Sequence, residues 1–134
     1  MNYFEPHLMP DELRAISAIG LAHMGDAVYE TLVRTWLCVH GKATGKELHR
    51  ATIALVCAQK QAELAQRVLP QLTEEELAVY KRGRNANVHA MPRSATPAQY
   101  HAATGLECLM GWLYLQGSKE RAEQLFRAMM EEET

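Results

Sequence analysis

Two long stretches of this chain are all but free of charge, and each carries a single carboxylate. Between Arg14 and Glu30 the only acidic or basic residue, histidine aside, is Asp26; between Arg93 and Lys119 it is Glu107. Segments this apolar have to pack against other parts of the fold. The first of them is apolar on most sides and is expected to be central. A carboxylate inside such a helix is costly if it is left buried and unpaired. If the two helices pack together, Asp26 and Glu107 can face one another. Each then raises the other's pKa unless a cation neutralises both. An oxygen-only site of that kind suits Mg²⁺, with Mn²⁺ as a substitute. The alternative is that each acid lies at a surface edge or pairs with a distant arginine, and the charge pattern leaves both open.

The rest of the chain is helical in pattern. Pro10-Asp11-Glu12-Leu13 has Pro and acids in a first turn. Ser17 is placed to cap a helix running to about His40, with Gly41 as its stop. Gly20 and Gly25 within it allow close helix approach. Thr44-Gly-Lys-Glu47 fits a capping box. The helix after it is expected to run unbroken, with Leu48, Ala51, Leu55, Ala58, Ala62 and Ala65 on one face, to near Pro70. Thr73-Glu-Glu-Glu76 is a second capping box, opening a helix toward Lys81, Arg82 and Gly83. Gly83 to Ala95 reads as a loop. Thr96-Pro97 opens the second uncharged helix, which Gly117 ends, and Ser118 caps a last helix. Hairpin signals and strand alternation are absent. The expectation is one all-α domain of six or seven helices over residues 1–134, with its core between about 13 and 125.

With 134 residues, 48% hydrophobic and 22% charged, the chain is long enough for a real core. No apolar run reaches transmembrane length and the first twelve residues lack a signal-peptide pattern, so a cytoplasmic location and no membrane partner are expected. Cys38, Cys57 and Cys108 are far apart among apolar neighbours, which reads as buried reduced thiols. The net charge of −2 hides an uneven distribution. Thr31 to Leu106 holds ten Lys or Arg against five Asp or Glu, and no acid lies between Glu76 and Glu107. A local basic face of this kind can bind phosphates even on an acidic chain.

Several side chains are candidates for chemistry. His23 lies one turn before Asp26, as a general base or as a structural partner of the acid. Glu30, one turn after it, could orient a metal shell or pair with Arg34. Thr104, one turn before Glu107, could join a water network or bond its own backbone. Lys81-Arg82-Gly83-Arg84-Asn85-Ala86-Asn87 is the strongest binding segment. Lys81, Arg82 and Arg84 supply phosphate partners, while Asn85 and Asn87 supply donors for ribose or bases. Gly83 there lets the chain turn or approach a ligand. A solvated basic turn at a helix carboxyl end would look similar. Phosphate loops, nucleophile elbows and Cys-His pairs are absent, which leaves metal-assisted hydrolysis as the reaction class with positive support.

These residues resemble a known family. Leu21-Ala-His-Met-Gly-Asp-Ala-Val-Tyr-Glu30 is similar to the Gly-Asp-Ala signature helix of ribonuclease III catalytic domains, and Ala103-Thr-Gly-Leu-Glu-Cys-Leu-Met-Gly-Trp-Leu-Tyr114 to their second carboxylate helix. Lys81-Arg-Gly-Arg-Asn-Ala86 between them resembles the small bacterial branch, Mini-ribonuclease III. The resemblance runs from about Leu13 to Leu125. It implies an all-α endonuclease domain acting as a homodimer on double-stranded RNA, using Mg²⁺ and leaving 5′-phosphate and 3′-hydroxyl ends. It further implies a role in maturing the ends of 23S ribosomal RNA precursors. The branch lacks a double-stranded RNA-binding domain, and this sequence has no room for one. Full-length relatives present Glu-x-x-x-Asp on the first helix and Asp-x-x-Glu on the second. Here Asp26 and Glu107 match the inner pair, while Ala22 and Thr104 stand at the outer positions.

The expected function is therefore a metal-dependent endoribonuclease cutting double-stranded RNA, with Asp26 and Glu107 as both catalytic residues and metal ligands. A dimeric RNA-binding or ribosome-assembly module with little catalysis keeps the basic face and needs no metal. A helical protein-interaction domain, with the basic segment as a solvated turn, is a third reading.

Overall fold

The computed structural model describes residues 1–86 and 93–131. Among them the chain forms seven α-helices, one 3-10 turn and no strand. They are α1 (Pro10–Arg14), α2 (Ala18–Val39), α3 (Gly45–Val56), α4 (Ala58–Val68), the turn Leu69–Gln71, α5 (Glu74–Arg84), α6 (Pro97–Leu115) and α7 (Lys119–Glu131). None of these helices is long and apolar enough to cross a membrane.

The helix starts follow local chemistry. Ser17, Thr44, Thr73 and Thr96 each accept a hydrogen bond from a backbone N–H three residues on, at 2.9, 3.2, 3.1 and 3.1 Å. Each such cap contributes about 1 kcal/mol. Thr73–Glu76 and Thr96–Gln99 close reciprocal capping boxes. The expected box at Thr44 is only half made, because Glu47 takes the Thr44 hydroxyl at 3.0 Å instead of its backbone N–H. Gly41 and Gly117 end α2 and α6 with φ of +93° each, a conformation other residues rarely adopt.

The centre of the fold is α6, not α2. Ten residues of α6 are buried, including Leu106, Leu109, Met110 and Leu113, and α2, α4, α5 and α7 all pack on it. Only one face of α2 is buried, through Leu21, Ala22, Gly25, Tyr29, Val33 and Leu37, while Ile19 and Val39 are exposed. Its lack of charge reflects exposed apolar surface as well as core. Tyr29, Leu64, Leu125 and Met129 complete the main cluster around α6.

Two expected features are corrected. The helix after Thr44 breaks at Cys57, whose backbone is extended (φ −65°, ψ 152°) and begins α4. The break leaves carbonyls of α3 without partners within the helix, and distant side chains satisfy them. The Tyr29 hydroxyl donates to the Leu55 carbonyl at 2.7 Å, and the Gln61 amide donates to that of Val56 at 2.9 Å. Gly83 is neither loop nor ligand contact. It lies in the last turn of α5, buried against α6, where a Cβ would meet that of Cys108 at 2.4 Å. The cysteines also divide: Cys108 is buried, with its thiol pushed up to about 11 by burial, but Cys38 and Cys57 are exposed.

α5 is further tied to α7 by a buried ion pair that sequence spacing did not indicate. Glu76, 5% exposed, receives Arg121 Nε at 2.8 Å and Nη2 at 2.9 Å, one on each carboxylate oxygen. Arg121 also donates to the Gln71 carbonyl at 3.0 Å. These hydrogen bonds hold the Glu76 carboxyl below its ordinary range, against burial that pushes it up.

Candidate active site

Two glycines bring the carboxylates together. α2 and α6 cross antiparallel, with Gly25 against Glu107 and Leu21 against Gly111. A Cβ on Gly25 would lie 1.6 Å from the Glu107 carbonyl oxygen, and one on Gly111 would lie 2.0 Å from that of Leu21. The helix backbones are therefore in contact, a closeness only glycine permits. Asp26 follows Gly25 directly and projects at the edge of this contact, where its side chain meets Glu107. The two carboxyl groups lie close enough for the Asp26 charge to act on Glu107.

The electrostatics follow from that contact. Burial pushes the Glu107 carboxyl up to about 8, helped by the neighbouring Asp26 carboxylate, while the Gln61 amide opposes the rise. Asp26 is exposed and Glu107 half-buried, so one carboxylate faces solvent and the other stands behind it. Two adjoining carboxylates held this way keep either a proton or a cation between them. The donor atoms are carboxylate oxygens, which suit a hard divalent ion. Among the described residues no group of three or more His, Cys, Asp and Glu converges. The chain thus offers two carboxylates, and water and substrate phosphate would complete a shell.

The other candidates fall in different places. At the outer positions, Ala22 and Thr104 are each 6% exposed. The Thr104 hydroxyl donates to the Tyr100 carbonyl one turn back at 3.0 Å, so it is satisfied within α6. Glu30 pairs with Arg34 along α2 at 2.5 Å. His23 is exposed on α2, not part of the core.

The basic segment is not one surface. Lys81 is exposed at the end of α5. Arg82 turns back, donating to the Ile16 carbonyl between α1 and α2 at 2.9 Å. Arg84 is half-buried, 6.0 Å over the Tyr80 ring, and donates to Asn85 Oδ1 at 3.3 Å. Asn85 caps α5 through its backbone. Asn87, like His89, lies outside the described residues.

One residue of the site had no signal in the sequence. Gln61 on α4 is buried and donates from Nε2 to Glu107 Oε2 at 3.3 Å. It sits among alanines in a helix of ordinary composition, and only the packing of α4 on α6 brings it there.

Comparison with known proteins gives the family of the chain. Residues 20–118 match the Ribonuclease III domain family. A Mini-ribonuclease 3 from Symbiobacterium thermophilum is 45% identical over 110 residues, covering 82% of this chain and 85% of the relative. One from Enterococcus faecalis is 42% identical over 116 residues, covering 85% and 88%. A crystal structure of a Fusobacterium nucleatum protein superposes with a TM-score of 0.83 at 28% identity, covering 92% of this chain and 98% of that one. The chain belongs to the ribonuclease III family, in its Mini-ribonuclease 3 branch.

Proposed function

We propose that this chain is an endoribonuclease that cuts double-stranded RNA with a divalent cation, most simply Mg²⁺ with Mn²⁺ as substitute. The observation that carries the reading is the Asp26–Glu107 contact, made by helices whose backbones touch at Gly25 and Gly111. Family membership supplies the reaction class, and the meeting of these two acids supports a site for it there. Asp26 and Glu107 would hold the cation, Asp26 from the solvent side and Glu107 from behind. When bound, such a cation supplies positive charge at the scissile phosphate and the acidity that makes water a nucleophile. Without it, burial and the neighbouring Asp26 charge favour the protonated form of Glu107. Hydrolysis of this kind leaves a 5′-phosphate and a 3′-hydroxyl.

A homodimer with two-fold symmetry would set two equivalent centres toward the two strands of a duplex. Met24, Ala27, Val28 and Leu32 on α2 form an uncharged strip of which Val28 and Leu32 already pack partly on the core. Selection of duplex over sequence would come from RNA shape and 2′-hydroxyls. Lys81, Arg84 and Asn85 at the end of α5, with the exposed Lys42, Lys46 and Arg50, are the phosphate contacts of this proposal. The catalytic domain would take up residues 1–134, act in the cytoplasm, and mature the ends of 23S ribosomal RNA precursors.

The test is incubation of pure protein with a long RNA duplex and Mg²⁺, with mapping of the product ends. Metal-dependent cuts bearing 5′-phosphates are expected. Salt-dependent binding without cleavage would favour a dimeric RNA-binding or assembly module instead.

A further inference from the structure

The helix break at Cys57 leads directly to the carboxylate pair. Gln61 stands in the first turn of α4, 2% exposed. Its Nε2 bridges the freed Val56 carbonyl at 2.9 Å and Glu107 Oε2 at 3.3 Å. Two acceptors converge on that end of the amide. Turning the amide over would set oxygen against oxygen in a buried place, so its orientation is dictated by its surroundings. The consequence is that Gln61 Oε1 is buried with no hydrogen-bond partner. Leaving such an atom unsatisfied costs stability, and an apolar side chain of the same shape would avoid it. A glutamine that only filled space between α4 and α6 would be the poorer choice there.

We infer that Gln61 is a positioning residue for Glu107: its amide ties one carboxylate oxygen to the end of α3 and fixes the rotamer in which Glu107 meets Asp26. This rests on the reading of Asp26 and Glu107 as a cation site. The tie is oriented by the backbone, because the same Nε2 is held by the Val56 carbonyl, which cannot change its chemistry by mutation. Donation to the carboxylate also favours its ionised form, the form a cation needs. Partners of this kind, one step behind a metal ligand, commonly change metal affinity or activity by 10–100-fold.

The experiment compares wild type, Gln61→Met and Asp26→Asn, full-length and folded by circular dichroism, in Mn²⁺ titrations followed by electron paramagnetic resonance. Single-turnover cleavage of an RNA duplex is measured alongside. Methionine matches the length of glutamine and donates nothing. Gln61→Met should weaken Mn²⁺ binding about tenfold or more and lower kcat by a similar factor, with KM for the duplex unchanged. In a Glu107→Gln background the same substitution should weaken Mn²⁺ binding no further. Wild-type Mn²⁺ affinity and kcat in folded Gln61→Met would overturn the inference and leave the cation site standing. No Mn²⁺ binding by wild type, or equal binding by Asp26→Asn, would overturn the cation site and this inference with it. If Gln61→Met does not fold, Gln61→Asn carries the same expectation, since it keeps the amide but withdraws it by one methylene. Unchanged Mn²⁺ affinity in that variant would equally overturn the inference.

Discussion

Gly25 packs directly on the carbonyl oxygen of Glu107, so closely that a methyl group there would sit 1.6 Å from it. The contact puts the residue after Gly25, an acid, beside the side chain of Glu107. Fold and chemistry therefore depend on the same absent Cβ.

Gly25→Ala is expected to separate α2 from α6. Alanine would favour an isolated helix by roughly 1 kcal/mol. Here the clash is with backbone, which cannot rotate away, so a net loss of about 1–3 kcal/mol or more should follow. Thermal unfolding measures that loss. Cleavage should fall further than stability does, because the two carboxylates part. A variant with wild-type melting and turnover would show that the backbones are not in contact.

Asp26→Asn and Glu107→Gln should each abolish cleavage while the protein stays folded. Each keeps the volume and removes the charge that holds a cation. Stability should hold or rise slightly, since a carboxyl in a largely apolar setting gives way to a neutral amide of the same shape. The double variant should cleave no worse than either single one, because residues acting as a unit are non-additive. Losses that multiply independently in single-turnover assays would mean the two do not share a site.

Metal-free stability should depend on pH through Glu107. Unfolded, this carboxyl titrates near 4.5; folded, burial and Asp26 push it to about 8. Between these values the folded chain binds more protons than the unfolded one, so stability falls as pH rises through the window. Below pH 4.5 this contribution is flat. Melting in chelator across pH 4.5 to 8 should show the decline, Glu107→Gln should flatten it, and Mg²⁺ should reverse it at the upper end. A metal-free melting temperature that rises across the window in wild type but not in Glu107→Gln would contradict the raised Glu107 carboxyl.

Arg121→Ala should destabilise the protein by about 1–3 kcal/mol, because it takes the charged partner from a buried carboxylate that keeps only its bond from the Thr73 N–H. Since the pair holds the Glu76 carboxyl low, its contribution is present above pH 4.5 and lost as pH falls below it. Denaturant unfolding at pH 7 and at low pH checks both statements, and the gap between wild type and variant should shrink in acid. A gap of equal size at both pH values would put the stabilisation elsewhere.

The basic segment should divide on mutation. Lys81→Ala with Arg84→Ala should weaken duplex binding and flatten its salt dependence, as fewer counterions are released. Arg82→Ala should instead cost about 1 kcal/mol of stability through the lost bond to Ile16, with a smaller effect on the salt slope. Binding titrations at several salt concentrations, with melting curves, separate the two. An unchanged slope in the Lys81, Arg84 pair would move the RNA contacts toward Lys42, Lys46 and Arg50.

By itself the sequence determined what local chemistry governs. Caps at Ser17, Thr73 and Thr96 are hydrogen bonds spanning three residues, and the stops at Gly41 and Gly117 are backbone conformations, so helix starts and ends were legible. The isolation of Asp26 and Glu107 in uncharged helices was legible too, because a lone charge in an apolar stretch needs a reason. Tertiary structure alone decided the rest. Cys57 breaks a helix that its neighbours favour, because Tyr29 and Gln61, distant or hidden, satisfy the carbonyls set free. Gly83 serves α6 and not a ligand, Arg82 reaches Ile16, and Glu76 finds Arg121 on a helix 45 residues away. The centre fell to α6 because small residues on several of its sides let other helices approach, whereas α2 meets the core along one. Pairings like these depend on which surfaces meet, and side chains far apart in sequence carry no mark of each other until the helices pack.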